Sequence, residues 1–209
     1  METYHDAMDI MEESWDSICQ ECRNVLSSEL HYQAIMYGCF RNTGKVPIKQ
    51  IGMNVKIRIF NPITSLFREL DNQKHKDYQG GYEPIPDIVL FSPAIEGDFQ
   101  RRNRENTLKH MIMAIEVKAS ERENGRLMPG EIIRDLKKLK AFQNEASRRR
   151  SYFVPTMIIV DTAKEDDERM RPNSLEEVAI SAKKQNIGLF YLNQDDHKEW
   201  IWDTTKLKQ

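Results

Sequence analysis

Two short apolar runs of the chain adjoin or contain charged residues, which are unusual in such a setting. Ile88–Phe91 follows directly after Asp87. Met111–Val117 contains Glu116 and is followed by Lys118. Short, continuous apolar runs of this kind predict strands that are buried on both faces. Since side chains alternate along a strand, Glu116 and Lys118 are expected to project from the same face.

Charged groups in a buried sheet are costly unless they are paired or bind a metal ion. Two neighbouring carboxylates also repel each other, so that without a cation one of them tends to hold a proton. A hard divalent cation between Asp87 and Glu116 would remove this cost, and an all-oxygen ligand set favours Mg²⁺ or Mn²⁺ over Zn²⁺. Beside it, Lys118 could align a water molecule and stabilise the charge of a pentacovalent phosphate.

The chain resembles the PD-(D/E)xK nuclease superfamily in both halves of its signature. Pro86-Asp87 is similar to the first half, and Glu116-Val117-Lys118 is similar to the second. The resemblance implies that Asp87 and Glu116 bind Mg²⁺ or Mn²⁺, with help from the backbone carbonyl of Val117. It implies that Lys118 assists the attacking water. The expected activity is metal-dependent hydrolysis of phosphodiester bonds in nucleic acid, DNA in preference to RNA.

The same resemblance assigns supporting roles outside the motif. A Glu on the helix before the sheet often completes such a site, and Glu29 is the matching residue. The helix after the motif often contributes polar residues, for which Lys138 and Gln143 are the candidates. The resemblance covers residues 27–192 and implies a restriction-endonuclease-like core.

An acidic residue two positions before a lysine is by itself a weak signal. The pattern also occurs at Asp135-Leu136-Lys137, on a predicted helix, and at Asp196-His197-Lys198, in a polar segment. Only Glu116-Val117-Lys118 lies in a predicted buried strand. The long gap from Asp87 to Glu116 requires residues 94–109 to loop out if the two strands are to pair. The alternative is a Glu116–Lys118 pair that is solvated and inert at the end of a strand.

Charge is distributed unevenly, although the net formal charge is only −2. Residues 1–30 hold eight Asp and Glu against one Arg, a net charge of −7, and residues 100–150 hold fourteen Lys and Arg against seven Asp and Glu, a net charge of +7. A basic segment is expected of a protein that binds a polyanion, although such charges also solvate ordinary helix faces. The candidate contacts to nucleic acid are Arg101, Arg102, Arg104 and Lys138.

Hydrophobic periodicity predicts alternating helices and strands. The predicted helices are residues 8–26, 29–40, 63–70, 129–148 and 174–185, the last opened by a capping box at Ser174-Leu175-Glu176-Glu177. The predicted strands are residues 54–60, 88–91, 111–117, 157–160 and 187–192, with Pro155 expected to exclude the residues before the fourth. This order predicts an α/β three-layer sandwich with a central mixed sheet. A single domain is expected, with residues 1–26 as an added N-terminal helix and residues 193–209 as a tail.

Composition and the absence of certain motifs argue against several other classes. No apolar run approaches the roughly 20 residues that span a bilayer, and the N-terminus is acidic, unlike a signal peptide. The three cysteines fit a reducing cytoplasm. Cys19 and Cys22 lie on an apolar helical stripe, which favours core packing over a zinc site. The signatures of zinc peptidases, P-loop NTPases, dinucleotide enzymes and serine hydrolases do not occur.

Two other classes of function stay open at this stage. One is a non-catalytic module that binds nucleic acid or assembles with other proteins while keeping the same fold. The other is a protein-interaction domain in which the stripe of the first helix packs on another chain. A homodimer is compatible with the nuclease hypothesis, since cleavage of a duplex by a small domain often requires two copies.

Overall fold

The computed structural model describes residues 3–76, 79–121 and 125–201, apart from the side chain of Tyr4. In this part of the chain, six α-helices, α1 to α6, span Tyr4–Arg23, Glu29–Asn42, Ser65–Asn72, Arg104–His110, Pro129–Arg148 and Pro172–Gln185. Eight strands, β1 to β8, span Ile51–Met53, Ile59–Phe60, Gly81–Tyr82, Ile88–Phe91, Met111–Ala119, Val154–Asp161, Gly188–Asn193 and His197–Trp200. The predicted α/β class with a mixed central sheet is confirmed.

Six of the strands form one mixed sheet in the order β1-β4-β5-β6-β7-β8. Strands β5, β6 and β7 run parallel, and the pairs β1–β4, β4–β5 and β7–β8 are antiparallel. The remaining two strands, β2 and β3, pair with each other in a separate antiparallel sheet. Helices pack on both faces of the large sheet, because alternate side chains of β6 join different core clusters: Ile158 packs with α1 and α2, and Ile159 with α5 and α6.

The apolar stripe of α1 is buried against the sheet of its own chain. Met11 and Ile18 are fully buried, and Trp15 makes an edge-to-face contact with Phe190 of β7 at 5.1 Å between ring centres. The three cysteines are free thiols in the same core, which confirms the core packing that the stripe predicts for Cys19 and Cys22. The stripe is therefore not available to pack on another chain, as the protein-interaction alternative requires.

The predicted strand over residues 54–60 is wrong. Ile51–Met53 forms β1 before it, and only Ile59–Phe60 of the predicted segment is a strand, in the small sheet. Asn54 adopts a positive φ of 50° and donates its backbone N–H to the Asp87 carbonyl, which turns the chain away from β1. The alternation reports burial correctly, since Val55, Ile57 and Ile59 all lie in the core, but the backbone between them is irregular.

Four further expectations need correction. Pro155 lies within β6 rather than before it, one residue ahead of the point where pairing with β7 begins. Helix α6 begins at Pro172, a favoured first-turn residue, so the capping box at Ser174 does not form. The segment over 94–109 contains part of α4, and β8 lies within the predicted tail, where it pairs with β7.

None of the helices in the described ranges is both long and apolar enough to cross a membrane.

The burial of Trp15 gives a test of how α1 contributes to the fold. Trp15→Ala is expected to lower the free energy of unfolding by about 3–5 kcal/mol, because a large side chain is removed from a closed core. Urea denaturation followed by circular dichroism measures this. Ile180→Ala on α6, where the side chain is 63% exposed, is the control and should change stability by less than about 0.5 kcal/mol. An equally small effect of both variants would contradict the packing of α1.

Candidate functional site

The pairing of β4 with β5 brings the two carboxylates of the motif together. Ile88 lies opposite Ile115, so the antiparallel register places Asp87 beside Glu116. The chain between the two strands leaves the sheet after Phe91 and returns at Met111, as the long gap between the motif halves requires. An Oδ2 atom of Asp87 accepts a hydrogen bond from the Val117 backbone N–H at 2.6 Å, which fixes this carboxylate against β5.

Lys118 lies at the centre of a group of three carboxylates. Its Nζ atom is 3.8 Å from Glu116 Oε1, its neighbour on the same face of β5. It is 3.4 Å from Glu29 Oε2 and 3.3 Å from Asp135 Oδ2. The Lys118 side chain is 17% exposed, so these ion pairs are partly shielded from water and the amine has a defined position.

Glu29 reaches the site because α2 begins there. Ser28 occupies the N-cap position but makes no side-chain capping bond. The Glu29 backbone N–H instead donates to the carboxylate of Glu121, just beyond the end of β5. The first turn of α2 is thereby tied to the segment after β5, and the Glu29 carboxylate faces Lys118.

Asp135 and Lys138 of α5 complete the cluster. Lys138 Nζ lies 2.7 Å from Asp135 Oδ1, while the other Asp135 oxygen faces Lys118. Lys138 was a candidate from sequence. Asp135 was not, because the acid-x-Lys pattern at Asp135-Leu136-Lys137 lies on a predicted helix, where such a pattern is ordinary. The available signal was its place beside Leu136 on the buried stripe of a helix that follows the motif.

The carboxylates are held in surroundings that favour protonation. Burial, opposed in part by the hydrogen bond from Val117, raises the pKa of Asp87 to about 6. Burial and then the charge of Asp87 raise the pKa of Glu116 to about 8. Burial also raises the pKa of Glu29. For Lys118, burial lowers the pKa, but the facing carboxylates outweigh it and raise the pKa overall, so the amine stays charged.

Two cavities open beside the cluster. The larger, of about 340 Å³, is lined by Glu29, Lys118, Asp135 and Lys138 together with other polar residues. The smaller, of about 250 Å³, is lined on one side by Glu116 and Lys138 and on the other by the segment from Tyr82 to Pro86. Glu116 and Lys118 thus each line a cavity, and Lys138 lines both cavities.

The other residues predicted from sequence lie elsewhere. Gln143 is buried, accepts a hydrogen bond from Lys140, and lines neither cavity. Arg101 forms a two-point ion pair with Glu83, which lines the smaller cavity. Arg102 is exposed, and Arg104 lies over the ring of Phe60.

The oxygen ligands available for a metal ion are the carboxylates of Asp87 and Glu116 and the carbonyl of Val117. Among the described residues, no three His, Cys, Asp or Glu side chains are arranged as a metal-binding group. Mg²⁺ commonly uses only one or two carboxylates and keeps several water molecules, so this smaller set fits it in chemistry. Burial favours the protonated form of both carboxylates, and the charge of Asp87 adds to this effect at Glu116, so a cation would stabilise both groups in their charged form.

No family model, curated protein or solved structure was found to match the chain.

The raised pKa values predict an unusual dependence of stability on pH. An acid with a pKa near 4 in the unfolded chain and a higher one in the folded protein loses stabilisation as pH rises between those two values. In a chelator, the free energy of unfolding should fall with pH between about 4 and 8 by up to about 1.4 kcal/mol per pH unit for each proton involved.

Comparison of variants isolates this contribution. Glu116→Gln should remove much of the decline, as measured by urea denaturation at several pH values. Glu69→Gln, at an exposed position on α3, controls for the loss of one carboxylate and should keep the decline. Identical pH profiles for all three proteins would mean that the Asp87–Glu116 pair is not strained.

Proposed function

We propose that this chain is a metal-dependent nuclease that hydrolyses phosphodiester bonds of nucleic acid, DNA in preference to RNA. The observation that carries the proposal is the meeting of Asp87, Glu116 and Lys118 at the end of two adjacent strands, beside open cavities. The order of elements and the helices on both faces of the mixed sheet support the finer proposal of a three-layer, restriction-endonuclease-like core.

In this proposal Asp87, Glu116 and the Val117 carbonyl hold Mg²⁺ or Mn²⁺. When bound, the ion would supply Lewis-acid stabilisation of phosphate charge and make a water molecule more acidic. The Val117 N–H keeps the Asp87 carboxylate against β5, which limits the motion of this ligand. Glu116 shares a face of β5 with Lys118, so ligand and amine are fixed by one backbone segment.

Lys118 provides the fixed positive charge of the site. Its ammonium group can donate hydrogen bonds to the attacking water or to a non-bridging phosphate oxygen. Glu29 and Asp135 keep the amine protonated and hold it between α2 and α5. They act as positioning residues, because each contacts Lys118 and neither belongs to the metal-binding set.

A cleavage assay tests the proposal. The wild-type chain should cut labelled duplex or single-stranded DNA in Mg²⁺ or Mn²⁺ and lose this activity in EDTA. Asp87→Asn, Glu116→Gln and Lys118→Met should each lower the rate by at least about 100-fold, the scale of removing one transition-state stabiliser. Asp135→Asn should have a smaller effect, because it acts through Lys118.

The chain provides a matched control for the motif. Asp196 and Lys198 have the same acid-x-Lys spacing but are exposed at the opposite edge of the sheet. Asp196→Asn and Lys198→Met should leave the rate within about twofold of wild type.

Absence of metal-dependent cleavage of duplex DNA, single-stranded DNA and RNA would refute the catalytic proposal. DNA binding unaffected by Asp87→Asn, Glu116→Gln and EDTA would then favour the non-catalytic binding module.

A further inference from the structure

Two arginines from separate parts of the chain lie on one exposed aromatic ring. The guanidinium carbon of Arg58 is 4.7 Å from the centre of the Phe60 ring, and that of Arg104 is 4.4 Å from it. Phe60 is 38% exposed and Arg104 is exposed, while Arg58 is half-buried, so the ring and the Arg104 cation are open to solvent. These three residues are named the arginine patch.

The arginine patch concentrates positive charge that is not paired with a carboxylate in the part of the chain that the structure describes. The two guanidinium carbons are at most about 9 Å apart, close to the Debye length of about 8 Å at physiological ionic strength, so their repulsion is only partly screened. Within residues 3–76, 79–121 and 125–201, no carboxylate forms an ion pair with Arg58 or Arg104. Nearby Arg101, by contrast, is paired with Glu83 at 2.5 Å.

The backbone beneath the arginine patch is held in place from inside the protein. Arg149 donates to the Phe60 carbonyl at 2.9 Å and forms an ion pair with the fully buried Glu145. Glu145 in turn accepts the backbone N–H groups of Ile63 and Thr64 at 2.7 and 2.6 Å. A surface that is already ordered loses little conformational entropy when it binds a ligand.

The small sheet connects the arginine patch to the candidate site. Phe60 pairs with Gly81 across the sheet, and the next two residues, Tyr82 and Glu83, line the cavity beside Glu116. Two residues of extended chain span about 7 Å, so the arginine patch lies a short way along the small sheet from the rim of this cavity. The partner that fits both features is a polyanion with regularly spaced charges.

We propose that the arginine patch binds the phosphate backbone of DNA on the side of the candidate site that Tyr82 and Glu83 line. Arginine suits this role because its planar group can donate two hydrogen bonds to one phosphate while its face stays on an aromatic ring. The position of the cleaved bond rests on the proposed nuclease function. The binding of DNA by the arginine patch does not require cleavage.

Binding without catalysis tests this inference. Fluorescence anisotropy with a labelled DNA duplex in EDTA should show a dissociation constant at least about tenfold higher for the Arg58→Gln/Arg104→Gln double variant than for wild type. The slope of log affinity against log salt should become shallower by about 2, since each lost phosphate contact removes about 0.9. Arg58→Lys/Arg104→Lys, which keeps the charge, should retain most of the wild-type slope.

Matched outcomes separate this inference from the proposed function. Lys184→Gln/Lys198→Gln removes the same charge from exposed positions on α6 and β8 and should leave the slope unchanged. The inference is overturned if both Gln double variants behave alike, if the Lys double variant loses as much slope as its Gln counterpart, or if wild type binds no DNA. Patch-dependent binding without cleavage in any metal would refute the nuclease proposal alone. Cleavage with patch-independent binding would refute the patch alone.

Discussion

The proximity of a buried and a half-buried carboxylate, enforced by the antiparallel pairing of β4 with β5, is the constraint on which the rest of the site depends. The register fixes Asp87 beside Glu116, and burial makes their shared negative charge costly, which raises the pKa of both groups. The protein offsets this cost only in part, through the Val117 N–H and the Lys118 ammonium group. A divalent cation between the carboxylates would complete the compensation.

Charge also determines how a polyanion could reach such a site. Glu29, Glu116 and Asp135 surround Lys118, so the positive charge of the lysine is largely compensated within the cluster. The positive charge of Arg58, which is half-buried, and of Arg104, which is exposed, lies outside the cluster, beside the small sheet. Under the proposed function, attraction of the DNA backbone and stabilisation of the reacting phosphate would be the work of separate groups. Metal ion, lysine and arginine patch would act together only when DNA is bound.

Site residues could be predicted from the sequence where they are unusual for their surroundings. Site residues that are ordinary for their surroundings could not. Asp87, Glu116 and Lys118 were recognisable because charges are rare beside buried strands, and their meeting follows from strand pairing. Asp135 was missed, because a charged residue at the border of an amphipathic helix is ordinary until the packing of α5 is known. Arg104 was a predicted contact to nucleic acid, but its proximity to Arg58 was missed, because the two residues are far apart in sequence. The strand predicted over residues 54–60 was wrong because the positive φ of Asn54 turns the chain, which the alternation of apolar residues does not reveal.

Calorimetric titration of Mn²⁺ into the metal-free protein is the most direct test of the shared cation site. Near pH 7, wild type should bind Mn²⁺ and release about one proton, because the Asp87–Glu116 pair holds a proton until the ion replaces it. Repeating the titration in two buffers of different ionisation enthalpy measures that proton. Glu116→Gln should show no comparable binding, and Glu69→Gln should behave as wild type. Equal binding by wild type and Glu116→Gln, or no binding by wild type, would contradict the central claim that these carboxylates form one cation site.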